Sequence, residues 1–528
     1  MTRILWSSTL ALSLLLSVGV AKETPTKGFN TKIPEHIMTP DKVQTRIGEL
    51  NFYDGVPTME TVTKVYDNLD FMRGVEVFMN FIPATSIEGL HLGVKSLGAD
   101  DYNKVVIMDK LMDSTPLFLT GNTDTVYATS FFDLKENGPM VMEIPAGAGP
   151  GTINDAFFRF VVDMGAPGPD RKRGGTYIIL PPDYKGDLKP TPNSFKDNSS
   201  VKVKVGTKTK DVWIAQSKSY NNWVILRGFL VDGKPNASDK MWREGLKIYP
   251  LSKAAEPRKM EFISGSKVEF NTIHANNYQF YKELNDVIQH EPISFLNPEL
   301  RGQAASIGII KGKEFKPDDR MKKILIDAVA TGNATARAIM FYQRDKNAFL
   351  YPNSYWTTFF IGGDYRWLDG DGMAGRNLDA RTLFFYQATV NTPAMALQIP
   401  GVGSNYAGLS KDKEGNILYG GKNYKMRLPA NVPAKDFWSV TAYDPQTRSE
   451  LQTEDRLFPS INNKIAKLDY NKDGSVDIYF GPVAPKGHEA NWIKTVPGKS
   501  WFQILRFYGP LKPFFDKTWK PGELELLK

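Results

Sequence analysis

Short runs of β-branched and aromatic residues, set apart by Gly, Pro and Asn, constrain this chain more than any other feature. Residues 126–134, 141–144, 156–163, 176–180, 201–205, 212–215 and 223–231 each have the length and composition of a strand. A second group follows at 423–428, 437–444, 475–481 and 501–509. Side chains alternate between the two faces of a strand, so such runs bury their apolar face by stacking one sheet on another. The 12% aromatic content, with 44 Gly and 34 Pro, suits strands and turns better than long helices. The expected fold is mainly β, with two β-sandwich or jelly-roll-like domains.

The exceptions have helical period. From Thr58, a candidate N-cap, Val62, Val65, Tyr66, Leu69, Met72, Val75 and Met79 recur at helical spacing, and Pro83 is expected to end that helix. Ile273, Phe280, Tyr281, Leu284, Val287 and Ile288 form a second stripe before Pro292. A third follows the candidate cap Asp318, with Gly332 and Asn333 marking a place for a break or kink. At 528 residues the chain is long for one core. The boundaries expected are a signal at 1–21, a helical lead-in at 22–115, a first β-sandwich at 116–262, a helical insert at 263–350 and a second β-sandwich at 351–528.

Arg3, an apolar run to Val20, and small residues ending at Ala21 read as a cleaved secretory signal, which predicts a periplasmic or secreted protein starting at Lys22. An uncleaved anchor helix is the alternative, although the run is near the lower limit for crossing a bilayer. No later segment has the length and apolarity of a membrane span. With no cysteine, the exported chain has neither disulfides nor a thiolate nucleophile. The formal charge of +8 includes dense lysines between Lys185 and Lys259, read as a solvated basic surface or an attraction to anionic envelope polymers. No nucleic-acid motif is present.

Standard catalytic signatures are absent: there is no nucleophile elbow, P-loop or paired-histidine zinc motif. His36, His91, His274, His290 and His488 lack metal-ligand spacing, and no metal site is expected. Asp469, Asn471 and Asp473 imitate the start of a calcium loop, but Phe480 stands where a bidentate Glu belongs. Asp473-Gly474 is therefore read as a hairpin turn, leaving a weak calcium site as the alternative. Asp364, Asp369, Asp371 and Asp379 form a second acidic cluster, read as loop solvation or oxygen ligands. No cofactor is expected beyond that.

Cationic residues on apolar strands carry more information. Arg159 in "AFFRFVVD" and Arg506 in "WFQILRFYG" must each be paired or lie at a cleft, since a guanidinium cannot neutralise itself.

Around these residues the sequence resembles a bacterial family, the tandem proteins that join domain of unknown function 1254 to domain of unknown function 1214. The segments "GNTDTVYATSFFDL" and "GPMVMEIP" are similar to the first domain, and "KNYKMRLPANVPAKDFWSVTAYD", "NKDGSVDIYFGP" and "NWIKTVPGKSWFQILRFYGP" to the second. The resemblance implies two β-sandwich domains with a helical insertion, and no reaction. Two functions are weighed. One is an exported hydrolase-like enzyme with a cleft between its β domains, using Asp124 as general base and Arg159 and Arg506 to hold an anion. Asn122, Tyr127, Trp438, Tyr443 and Tyr508 would then contact a small-molecule or polar-polymer substrate. The other is a non-catalytic ligand-binding or assembly module of the cell envelope, with a homo-oligomer left open. Convergence of these residues in one pocket discriminates between them.

Overall fold

The computed structural model describes residues 33–192 and 198–528. The expected signal at 1–21 lies outside the described residues. The chain divides into two units, 1–70 and 71–528.

In the first unit, Lys42–Thr45, Gly48–Tyr53 and Val56–Pro57 form a small antiparallel sheet. The long helix α1, Met59–Ser96, begins here. Thr58 caps it as expected, its Oγ1 accepting from the Thr61 amide at 3.3 Å. Thr61 Oγ1 in turn accepts from the Asn51 amide at 2.8 Å, tying helix to sheet.

In the second unit α1 does not stop at Pro83; the proline lies inside it. A proline in a helix interior costs roughly 3 kcal/mol. Burial of Phe78, Phe81, Ile82, Ile87, Leu90 and Val94 along this stretch outweighs that cost. Gly93 permits a close crossing, since a Cβ there would stand 2.4 Å from the Asn271 carbonyl oxygen. The helices Gln279–His290 and Asp319–Phe341 join α1 in one apolar core. Asp318 caps the latter, accepting from Met321 N at 2.7 Å, and the helix runs through Gly332 and Asn333 without a break. Leu378–Gln387, a helix the periodicity did not reveal, packs in the same core.

The fold is mainly β with helical parts. Two sheets enclose one core. The first has the order Val201–Val205, Lys208–Gln216, Gly175–Leu180, Met140–Ile144, Lys247–Pro250. The second has the order Glu261–Ser264, Lys104–Ile107, Val126–Asp133, Asn221–Gly228, Pro150–Asp155, Phe160–Gly165. Between them lie Val126, Ala128, Met142, Ile178, Val224 and Leu226. A second pair of sheets follows. Ser500–Pro510 is central in one, flanked by Ser404–Leu409 and Ala434–Tyr443. Tyr424–Leu428 and Val476–Gly481 are central in the other. Met426, Ile478, Trp438, Val440, Leu505 and Phe507 fill the space between them.

The run at 156–163 is not one strand. Residues 156–159 turn between Pro150–Asp155 and Phe160–Gly165, with Phe158 at φ 57°, and Arg159 sits in the turn. Apolar side chains in the turn disguised it, because Phe157 and Phe158 are buried against the helical layer.

The Asp473-Gly474 turn is present, within a loop wider than two residues. Tyr470 and Val476 bridge antiparallel, Gly474 N donates to Asn471 O at 2.9 Å, and the Asp473 carboxylate accepts from Ser475 N at 3.0 Å. Gly474 has φ 79°. Gly474→Val is therefore expected to cost about 1–3 kcal/mol, because a β-branched residue resists this region. Thermal unfolding should show the same loss with calcium or with chelator; a loss confined to one condition would contradict the turn reading.

Candidate functional site at the seam between the sandwiches

The central strand Ser500–Pro510 and its partner Ala434–Tyr443 pair with Ser439 opposite Arg506 and Tyr443 opposite Phe502. Alternation then puts Ser439, Thr441, Tyr443, Ile504, Arg506 and Tyr508 on one face and Trp438, Val440, Leu505 and Phe507 on the other. The second set builds the core of its own sandwich. Trp438 is thus a core residue there and not part of the site. It differs in parity from Tyr443, so the two could not share a face.

The first set meets the segment Thr120–Tyr127 of the other sandwich. Arg506 Nη2 donates to the carbonyls of Thr120 at 2.8 Å and Gly121 at 3.0 Å. The Tyr443 hydroxyl donates to the same Gly121 carbonyl at 2.6 Å. Asp124 Oδ2 accepts from Ser439 Oγ at 2.5 Å and from the Tyr508 hydroxyl at 3.1 Å, while Oδ1 accepts from Asn462 Nδ2 at 3.0 Å. Asn122 shapes the turn, its Oδ1 accepting from the Asp124 amide at 2.9 Å and its Nδ2 donating to the Tyr127 hydroxyl. Six of the eight sequence candidates, Asn122, Asp124, Tyr127, Tyr443, Arg506 and Tyr508, therefore meet in one buried seam.

Arg159 stands apart from it. Its Nε donates to Asp155 at 2.5 Å and its Nη1 to the Phe295 carbonyl at 2.8 Å, an ion pair that closes the 156–159 turn. Of the two alternatives the sequence left, pairing or a cleft, this arginine takes the paired one.

Two chambers open along the seam. The inner one, a small cavity of about 40 Å³, is bordered by Asn122, Tyr127, Arg227, Tyr406 and Arg506, with Phe359 and Ile504 among its apolar walls. The outer cleft, about 220 Å³, is bordered by Asp163, Lys172, Lys435 and Tyr508. Ile225, Arg227, Val390 and Met395 border both.

Burial governs the acid–base chemistry here. It raises the phenols of Tyr127, Tyr443 and Tyr508, which stay neutral hydrogen-bonding groups. Burial also pushes Glu450 up to about 8, with Arg506 opposing and Asp124 and Asp113 adding to the rise. Asp163 is pushed up to about 7 by burial, against hydrogen bonds from Thr392 and Thr152. Thr392 Oγ1 lies 2.7 Å from both of its oxygens.

Sequence reasoning missed Arg227, Asp163, Tyr406 and Glu450. Arg227 carried the same signal as Arg506, a cation in the apolar run "WVILRGFL". Glu450 lies outside the strands and gave no pattern. Elsewhere, two members of the acidic cluster are paired, Asp364 with Arg366 at 2.9 Å and Asp379 with Arg344 at 2.6 Å. His274 is buried among Phe78, Phe280 and Tyr386, and burial lowers it to about 3. Among the described residues, no group of three or more His, Asp or Glu is placed to hold a metal ion.

Two stacked-sheet domains, a helical layer and a buried polar seam between them define a double-sandwich protein with an interdomain cleft. Residues 102–250 match the family described as "Protein of unknown function (DUF1254)" and residues 403–512 that described as "Protein of unknown function (DUF1214)", so the chain belongs to the proteins that carry these two domains in tandem. No curated protein matches it. Among solved structures it is similar to the VPA0106 protein from Vibrio parahaemolyticus, at 17% identity and a TM-score of 0.49, covering 87% of this chain and 100% of that one. A putative uncharacterized protein from Burkholderia cenocepacia is similar at 11% identity and a TM-score of 0.38, covering 89% and 98% respectively.

Proposed function

We propose that this is an exported small-molecule-binding protein whose ligand enters the cleft between the two sandwiches. The observation that carries the reading is the convergence of four polar candidates, Asn122, Tyr127, Arg506 and Tyr508, with Arg227, on two adjoining chambers at the seam between the sandwiches. Interdomain clefts with apolar walls and a few placed polar groups are the usual form of a ligand site. Export rests on Arg3, the apolar run and Ala21.

Asp163 favours a second, catalytic reading. A carboxyl poised near neutral pH at the edge of a cleft suits general acid–base work. A hydrolase of this design would use Asp163 to relay a proton and Arg227 to hold developing negative charge. Asp124, fixed by three donors, would position the loop.

Native mass spectrometry of protein purified from its own source tests the binding reading. The expected mass is that of a chain starting at Lys22 plus one small molecule, with the excess lost in Ala388→Leu, which fills the inner chamber wall. A full-length mass would sink the export proposal. Absence of both an excess mass and any ligand-induced thermal shift would sink the binding site.

A further inference from the structure

We infer that the cleft takes a small amphiphile with a single anionic head, the head seated between Arg227 and Arg506 and the apolar body lying along Ile225, Val390 and Met395. This rests on the binding reading above and names its ligand class.

Charge is the first ground. Arg227 and Arg506 both border the inner chamber, and a guanidinium in a protein stays cationic. Among the described residues neither forms an ion pair with a carboxylate; the strongest polar influences on both come from phenols. Glu450, which the Arg506 charge does reach, holds its proton at neutral pH. Asp124 bonds into the seam through Ser439, Tyr508 and Asn462, not through either arginine. The two guanidiniums are thus left without an acidic partner, and buried charge is costly unless paired.

Hydrogen bonding is the second ground. Arg506 is 3% exposed. Its Nη2 is used by two carbonyls, but its buried Nη1 has no acceptor among the described residues. Arg227 lies beside the Tyr127 ring, Cζ 5.4 Å from the centroid, and faces both chambers. A carboxylate or similar head between them would accept from both guanidiniums, the strong charge-assisted kind of bond.

The walls give the rest of the ligand. Ile225, Val390 and Met395 connect the chambers around Arg227, so an apolar body leads outward from the head.

Calorimetry on the full mature protein with sodium decanoate, 1-decanol and decyltrimethylammonium tests this. Decanoate is expected to bind one to one and at least about tenfold more tightly than decanol, with the cation weakest. Arg227→Gln should bring decanoate down to the decanol level, and Arg227→Lys should keep the preference. Equal binding of decanoate and decanol, preference for the cation, or an unaffected preference in Arg227→Gln would overturn the anionic head. If no decyl compound binds but native protein still carries a small molecule, the ligand class is wrong and the site stands. If neither is seen, both fall.

Discussion

Arg506→Ala is expected to lower the free energy of unfolding by about 3–5 kcal/mol, among the larger effects of a single substitution. From sequence alone, Arg506 is either paired or at a cleft, and at a cleft its loss would cost little. The structure changes that balance. Arg506 borders the inner chamber but is 3% exposed, and it satisfies the carbonyls of Thr120 and Gly121, which belong to the other sandwich. Alanine would leave the Thr120 carbonyl buried without a partner and the Gly121 carbonyl with the Tyr443 hydroxyl alone, and would open a void at the middle of the seam. Chemical unfolding followed by tryptophan fluorescence reads the loss; a cost below about 1 kcal/mol would mean that water replaces the guanidinium freely. Arg159→Ala is the natural comparison, because that residue is half-buried and its loss removes the pair with Asp155 and the bond to the Phe295 carbonyl, both away from the seam.

Stability is expected to fall as pH rises from 4 to 8, and Asp163 should carry a large share. In the folded protein this carboxyl keeps its proton up to about pH 7, whereas in the unfolded chain it releases it near pH 3.9. Between those values the folded state binds more protons, so its advantage is complete below about pH 4 and is lost as pH passes 7. Three units at 1.36 kcal/mol each make this about 4 kcal/mol. Glu283, Glu291 and Glu450, raised by burial in the same direction, add to the trend. Asp163→Asn isolates the Asp163 share: the mutant should gain on the wild type by about 4 kcal/mol between pH 4 and pH 8. A difference that stays constant across that range would show that Asp163 titrates normally.

Much of the fold was legible because the strands are locally consistent. The strand Val201–Val205 stands where alternation put it, and Asp318 caps its helix where the pattern changed. The misreadings share a physical cause, tertiary packing overriding a local signal. Burial carries α1 through Pro83, and two phenylalanines turned into the core made the 156–159 turn look like strand. In the site, strand parity alone separates Trp438 from Tyr443. Residues of the same parity on 501–509 reached the seam together, and "GNTDTVY" supplied the loop they meet. What could not be read was contact across long sequence separation: nothing local tells that Arg159 reaches the Phe295 carbonyl while Arg227 borders the chambers with Arg506.

The seam also dictates an order of events during synthesis. Its clasps join Thr120, Gly121 and Asp124 to Arg506 and Tyr508, partners 384 to 386 positions apart. All the strands of the first sandwich have emerged by Ser264, well before the strand Ser500–Pro510 exists. The Thr120–Tyr127 loop therefore cannot make these clasps until that strand has been synthesised. The inner chamber is then a late product of biogenesis: a chain cut short near residue 490 would contain Arg227 and Asp163 and still lack Ile504 and Arg506 from its wall.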